Sequence, residues 1–139
     1  MKKAAFFALV ALMGLSMSPE IPEVRADDDE CSPKECPLHH WMEENTTKAV
    51  EDGDTKALAA ALHKIEFMAP DKKWDEGKNS WAKIAREGAT AAEKGDLKLA
   101  RKSCKNCHKA WRKDYQKMFK DRPVPKLPKD ADKGRKDLK

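Results

Sequence analysis

The run Cys104-Lys105-Asn106-Cys107-His108 sets two thiols three positions apart, with an imidazole directly after the second. Three chemistries use such a pair. A redox-active C-x-x-C normally opens a helix that follows a strand, and no strand pattern precedes Cys104. A zinc site takes four ligands. Cys31, Cys36, His39, His40 and His63 have suitable side chains, but a C-x-x-C-H run on one helix face does not need them. Haem accounts for all three residues together. On a helix, Cys104, Cys107 and His108 stand at i, i+3 and i+4 and project from one side. Two thiols can form thioethers to the porphyrin vinyl groups while the imidazole takes an axial position on the iron, which is the c-type attachment spacing. A local disulfide beside a solvated histidine is the plainer alternative.

The start of the chain agrees with that chemistry. "MKK" is basic, residues 4–17 are an apolar run, and Val24-Arg25-Ala26 offers small residues around a cut. This pattern predicts a secretory signal peptide over residues 1–26. An uncleaved membrane anchor is the alternative, although the run is short for a bilayer. Export implies the periplasm, an oxidising compartment where disulfides persist. Removing residues 1–26 takes away three bases and two acids and lowers the net charge from +5 by one. Acids and bases are interleaved, and with one Tyr and four Phe there is little for base stacking, so nucleic acid is not expected as a partner. The bases concentrate in residues 98–139, which suits docking to an acidic partner.

The elements that must position the motif read as helices. Ala, Lys, Leu and Glu dominate and β-branched alternation is absent. Three-and-four spacing draws four segments. The first covers 37–51, opened by Pro37, with Leu38, Trp41, Met42, Asn45 and Ala49 on one face. The second covers 55–68 behind the cap Asp54, with Leu58, Ala61, Leu62 and Ile65. The third covers 80–93, with Trp81, Ile84, Ala85, Gly88 and Ala91. The fourth covers 97–120 behind the cap Asp96, and its stripe contains Cys104, Cys107, His108, Trp111 and Tyr115. Residues 71–79 read as a loop or a loose helix start, and His63 reads as a surface residue among charged neighbours. Residues 121–139, rich in Pro and Lys, read as an extended or disordered tail. The expected fold is all-α, an antiparallel four-helix bundle over 37–120. Its alanine-rich stripes leave a thin core that something bulky would fill.

A last-of-four helix carrying "CKNCHKAWRKDY" resembles the class II cytochromes c, which include cytochrome c′ and the cytochrome c556 type. The resemblance covers about 37–120. Its specific parts are the C-x-x-C-H run and a first-helix methionine. It implies one covalently bound haem c, attached at Cys104 and Cys107, with His108 as proximal iron ligand. Low-spin members place a first-helix methionine opposite, and here "LHHWMEEN" supplies Met42 as the sixth ligand. Three alternatives stay open: His39 or His40 on the iron, an open sixth position, and Met42 as plain core. Family members often carry an arginine four residues before the methionine, near a haem propionate. That position is Leu38 here, which leaves Lys72, Lys73 and Arg112 as candidates.

The second cysteine pair lies in the N-terminal arm, residues 27–36. No histidine follows Cys36, so a Cys31–Cys36 disulfide is expected, with a zinc site using two histidines as the alternative.

The function these expectations imply is single-electron transport in the periplasm by a His/Met haem with both axial positions filled. The alternative is a five-coordinate protein that binds nitric oxide or carbon monoxide. An enzyme is not expected, because no clear distal acid–base pair is present, although His39 or His40 could serve a peroxidase in that way. Redox proteins with acidic faces are the expected partners, and a homodimer through the first two helices is a further option.

Overall fold

Pro37 has no amide hydrogen to leave unpaired, which suits the first turn of a helix, and it opens the first one. The computed structural model describes residues 36–138. The signal peptide and Cys31 lie outside the described residues. Helix α1 covers residues 37–51 in three parts: an α-helical stretch Pro37–Met42, a π-helical turn Glu43–Thr47 and an α-helical turn Lys48–Glu51. Helix α2 is Thr55–Ile65, α3 is Trp81–Glu93 and α4 is Leu97–Phe119. Short 3-10 turns at Lys72–Asp75 and Ala131–Lys133 complete the structure. Among the described residues there is no strand, and no helix is long and apolar enough to cross a membrane.

The caps read from the sequence are in place. Asp54 accepts from the Ala57 amide at 2.9 Å and Asp96 from the Leu99 amide at 2.8 Å, each satisfying a donor that a helix start leaves orphaned. Ser80 does the same for α3, so that helix begins one residue later than expected. Helix α2 stops at Ile65, three residues short of the expected end, and residues 66–67 form a turn.

Helix α3 lies at the centre. It packs on α2 along one side and on α4 along the other. Gly88 lets both neighbours come close: a Cβ there would meet Ser103 Oγ of α4 at 3.0 Å and Leu62 Cδ1 of α2 at 3.2 Å. Leu58, Leu62, Ile65, Trp81, Ala85, Ala89 and Ala100 fill the shared core. The N-terminal part of α1 stands across from α4 with hollows between them.

Two expectations are corrected. His63 is not a surface residue. It is 5% exposed, with Nδ1 2.7 Å from Glu66 Oε1 and Nε2 2.8 Å from Glu93 Oε1. The segment from 121 onward is not a loose tail either. Arg122 donates to the Met68 carbonyl at 3.0 Å, and Val124 and Leu127 pack on the core. Ala131 is buried, and the 3-10 turn around it lies against α2. Arg135 then closes the segment onto Glu66 and Asp75. Charge and proline made this stretch look solvated; specific hydrogen bonds and apolar contacts hold it instead.

Candidate cofactor site between α1 and α4

Helix α4 carries Cys104, Cys107 and His108 on the side that faces α1. Their i, i+3, i+4 spacing sets that arrangement. Two hollows flank them. The larger, about 370 Å³, is bounded by Leu38, His39 and Met42 from α1 and by Cys107, His108 and Tyr115 from α4. The smaller, about 260 Å³, has Met42, Val50, Leu62 and Ile84 on its apolar walls, with Cys104 and His108 opposite. Met42, Cys107 and His108 border both hollows. The larger volume falls within the range of known ligand pockets, roughly 300–1,000 Å³, and the smaller lies just below it.

An aromatic cluster supports the larger hollow. Trp81, 3% exposed, donates from its indole nitrogen to the Ile65 carbonyl at 2.8 Å, which satisfies its one polar atom. Tyr115 lies 6.1 Å from Trp81 between ring centroids. Trp111 stacks on Trp74 at 4.4 Å and 16°, and its indole nitrogen donates to the Asn79 carbonyl at 2.9 Å. Trp74 comes from the stretch read as a loop or a loose helix start. It is buried, and it is the ring on which the other aromatics converge. Periodicity could not place it, because a 3-10 turn of four residues has no helical stripe.

Electrostatics distinguish the candidate chemistries. Cys104 and Cys107 are half-buried and not joined in a disulfide. Burial, with the neighbouring Cys104, pushes the Cys107 thiol up to about 12. Burial also raises Cys104, although its own backbone and Arg101 pull the other way. Thiol–disulfide exchange needs a thiolate, so a pair held as S–H at neutral pH is badly set up for redox catalysis. His108 is exposed by area but sits in the concavity. The surrounding protein and then His39 lower its pKa. It is therefore neutral at pH 7, the form in which imidazole binds metals.

The remaining sequence candidates separate. His39 borders the larger hollow, with Nε2 3.5 Å from Glu43 Oε1. His40 borders neither. Its Nδ1 lies 3.5 Å from Glu43 Oε2, and its Nε2 is buried without a partner. Cys36 is disulfide-bonded, which removes its thiolate from any zinc site. The pairing with Cys31 lies outside the described residues. Among the described residues no three His, Cys, Asp or Glu side chains converge as a metal-ion site. Lys72 and Lys73 are exposed and border neither hollow, whereas Arg112 borders the larger one. Lys120, not singled out from the sequence, joins it there, and Arg101 and Lys105 border the smaller hollow. The signal for Arg112 and Lys120 was their spacing of eight, two helical turns along one face.

These residues offer a mostly apolar lining with cations beside it. Two thiols and a neutral imidazole line one wall, a thioether faces them, aromatic rings give a floor, and cations stand at the rim. No family model, no curated protein and no solved structure matches this chain.

Proposed function

We propose that the protein is an exported c-type cytochrome that carries single electrons, with a fold similar to the four-helix bundle of class II cytochromes c. Cys104 and Cys107 hold one haem c covalently, His108 is the proximal iron ligand and Met42 is the sixth. When bound, the haem supplies a one-electron couple at its iron. The observation that carries this reading is the position of Met42, which borders both of the hollows that Cys107 and His108 border, from the opposite helix.

The chain's own residues do the rest. Leu38, Trp81 and Tyr115 exclude water from one side of the site, and Leu62, Ile65 and Ile84 from the other. A drier site favours the less charged state of the couple. Arg112 and Lys120 would meet the acidic edge in the larger hollow, the role that Leu38 cannot fill. With the Met42 thioether and the His108 imidazole both holding the group, no position would remain for a substrate, so we read a carrier and not an enzyme.

Helix α4 also supplies the docking face. Lys98, Arg101, Lys102, Lys105, Lys109 and Lys113 are exposed along it, and Asp114 is its one acid. Such a field steers association with acidic redox proteins and weakens with salt. A periplasmic setting follows from the signal-like start and from the chemistry of attachment.

The test is the absorption spectrum of the oxidised and reduced protein, with Met42→Ala beside it. A low-spin spectrum with a Met-to-iron band that Met42→Ala abolishes supports the carrier. A high-spin spectrum that responds to carbon monoxide in the wild type points to the gas-binding alternative. Loss of the sixth ligand in His39→Ala, and not in Met42→Ala, would pass the role to His39, which borders the same hollow.

A further inference from the structure

Helix α1 changes its winding directly after Met42. Over Glu43–Thr47 it widens to a π-helical turn, and the Lys48 amide donates to the Glu43 carbonyl five residues back. Such a turn holds one residue more than an α-helical one, and it recurs at functional sites. In an α-helix the amides of residues 45 and 46 would donate to the carbonyls of 41 and 42. Here the side chains of those two residues do so. Asn45 Nδ2 donates to the Trp41 carbonyl at 2.8 Å, and Thr46 Oγ1 to the Met42 carbonyl at 2.6 Å. Asn and Thr are the residue types whose side chains compete with backbone pairing in this way.

The extra residue changes which way Met42 faces. In an unbroken α-helix, residues seven apart differ by about 20° in azimuth. Met42 and Ala49 would then share one face, as the sequence periodicity had them. One inserted residue offsets the two by about 100°. Ala49 is 5% exposed and belongs to the core, while Met42 stays half-buried and borders both hollows. Thr46 itself borders the smaller hollow beside Met42.

We propose that the π turn, held by Asn45 and Thr46, presents the Met42 sulfur to the cavity it shares with Cys107 and His108. Asn45 and Thr46 are thus positioning residues for the sixth ligand. This rests on the His108/Met42 reading above.

The experiment uses the haem-loaded protein and reads the Met-to-iron band of the oxidised form. Deleting Glu44, whose side chain is exposed, returns the helix to an α-helical count. The expected result is a spectrum like that of Met42→Ala, with helical circular dichroism kept. Thr46→Val keeps the shape and loses the donor. Added imidazole should then displace the ligand at roughly fivefold lower concentration, as one hydrogen bond warrants, and Thr46→Ser should restore the wild-type titration. The Thr46 pair decides the matter if the deletion does not fold. An unchanged band in the folded deletion variant, or equal imidazole titrations for Thr46→Val and wild type, overturns the positioning role. A wild type that lacks the band and ignores Met42→Ala overturns the ligand assignment, and this inference with it. The wild-type spectrum tells the two failures apart.

Discussion

Arg86 grips Glu66 with two nitrogens, Nε on Oε1 and Nη2 on Oε2, both at 2.6 Å. Glu66 is fully buried. Its carboxylate also accepts from the Arg135 amide at 2.7 Å and faces His63. Arg86 in turn reaches the Arg135 carbonyl. A buried carboxylate is tolerated only when it is paired in this way.

Removing one partner should therefore be expensive. Arg86→Ala leaves Glu66 buried beside fewer donors and should cost about 3 kcal/mol, the scale for breaking a buried pair. Asp137→Asn, at the exposed end of the same chain of charges, should leave the melting temperature unchanged. Thermal unfolding of the two variants checks this, and equal effects would contradict the buried pair as the anchor.

The pair also sets an acid limit. Burial works to raise the Glu66 carboxyl, but hydrogen bonds from Arg86, the Arg135 amide and His63 outweigh it and hold its pKa below the ordinary value of 4.5. A folded pKa below the unfolded one means stability that is present above about pH 4.5 and lost as pH falls through the folded value. Urea midpoints of wild type and Glu66→Gln should differ most near neutrality and converge below that pH. A constant difference down to pH 3 would show that Glu66 does not titrate with unfolding.

Gly134 makes the docking of the C-terminal segment possible. Its φ is +74°, and a Cβ there would come within 2.5 Å of His63 Nδ1 and 2.9 Å of Glu66 Oε1. Gly134→Ala should cost about 3 kcal/mol or more, combining left-handed strain with the clash. Gly77→Ala, with a φ of +73° and open space around it, should cost only the backbone share, about 1 kcal/mol. Chemical denaturation of both separates the close approach from the conformation.

Much of the fold was legible from the sequence because it is local. The caps Asp54 and Asp96, the Pro37 start and the helical stripes all depend on residues within four positions of one another. What could not be read depends on distant partners. His63 looked exposed because its neighbours in sequence are charged, yet its ring is held by Glu66 and by Glu93, thirty residues away. Trp74 could not be singled out within a loop or loose helix start, because its role lies in stacking on Trp111 from another element. The π turn was hidden for a different reason: an inserted residue leaves the apolar count almost unchanged while it rotates Met42 away from Ala49.

Trp74 offers a test of that point. Trp74→Ala removes the ring that stacks on Trp111 and borders Trp81, Tyr115 and Phe119. A loss of about 3–5 kcal/mol is expected for a buried aromatic of this size. Calorimetry would show it as a large drop in melting temperature, and a drop of only a degree or two would return residues 71–79 to the status of a surface loop.

Covalent attachment of haem at Cys104 and Cys107 is tested most directly by the mass and thiol content of the denatured chain. The expected result is a single species heavier than the polypeptide by one haem, with Cys104 and Cys107 both unreactive to a thiol reagent. A chain of unmodified mass, isolated from cells able to attach haem and showing two reactive thiols at Cys104 and Cys107, would contradict it.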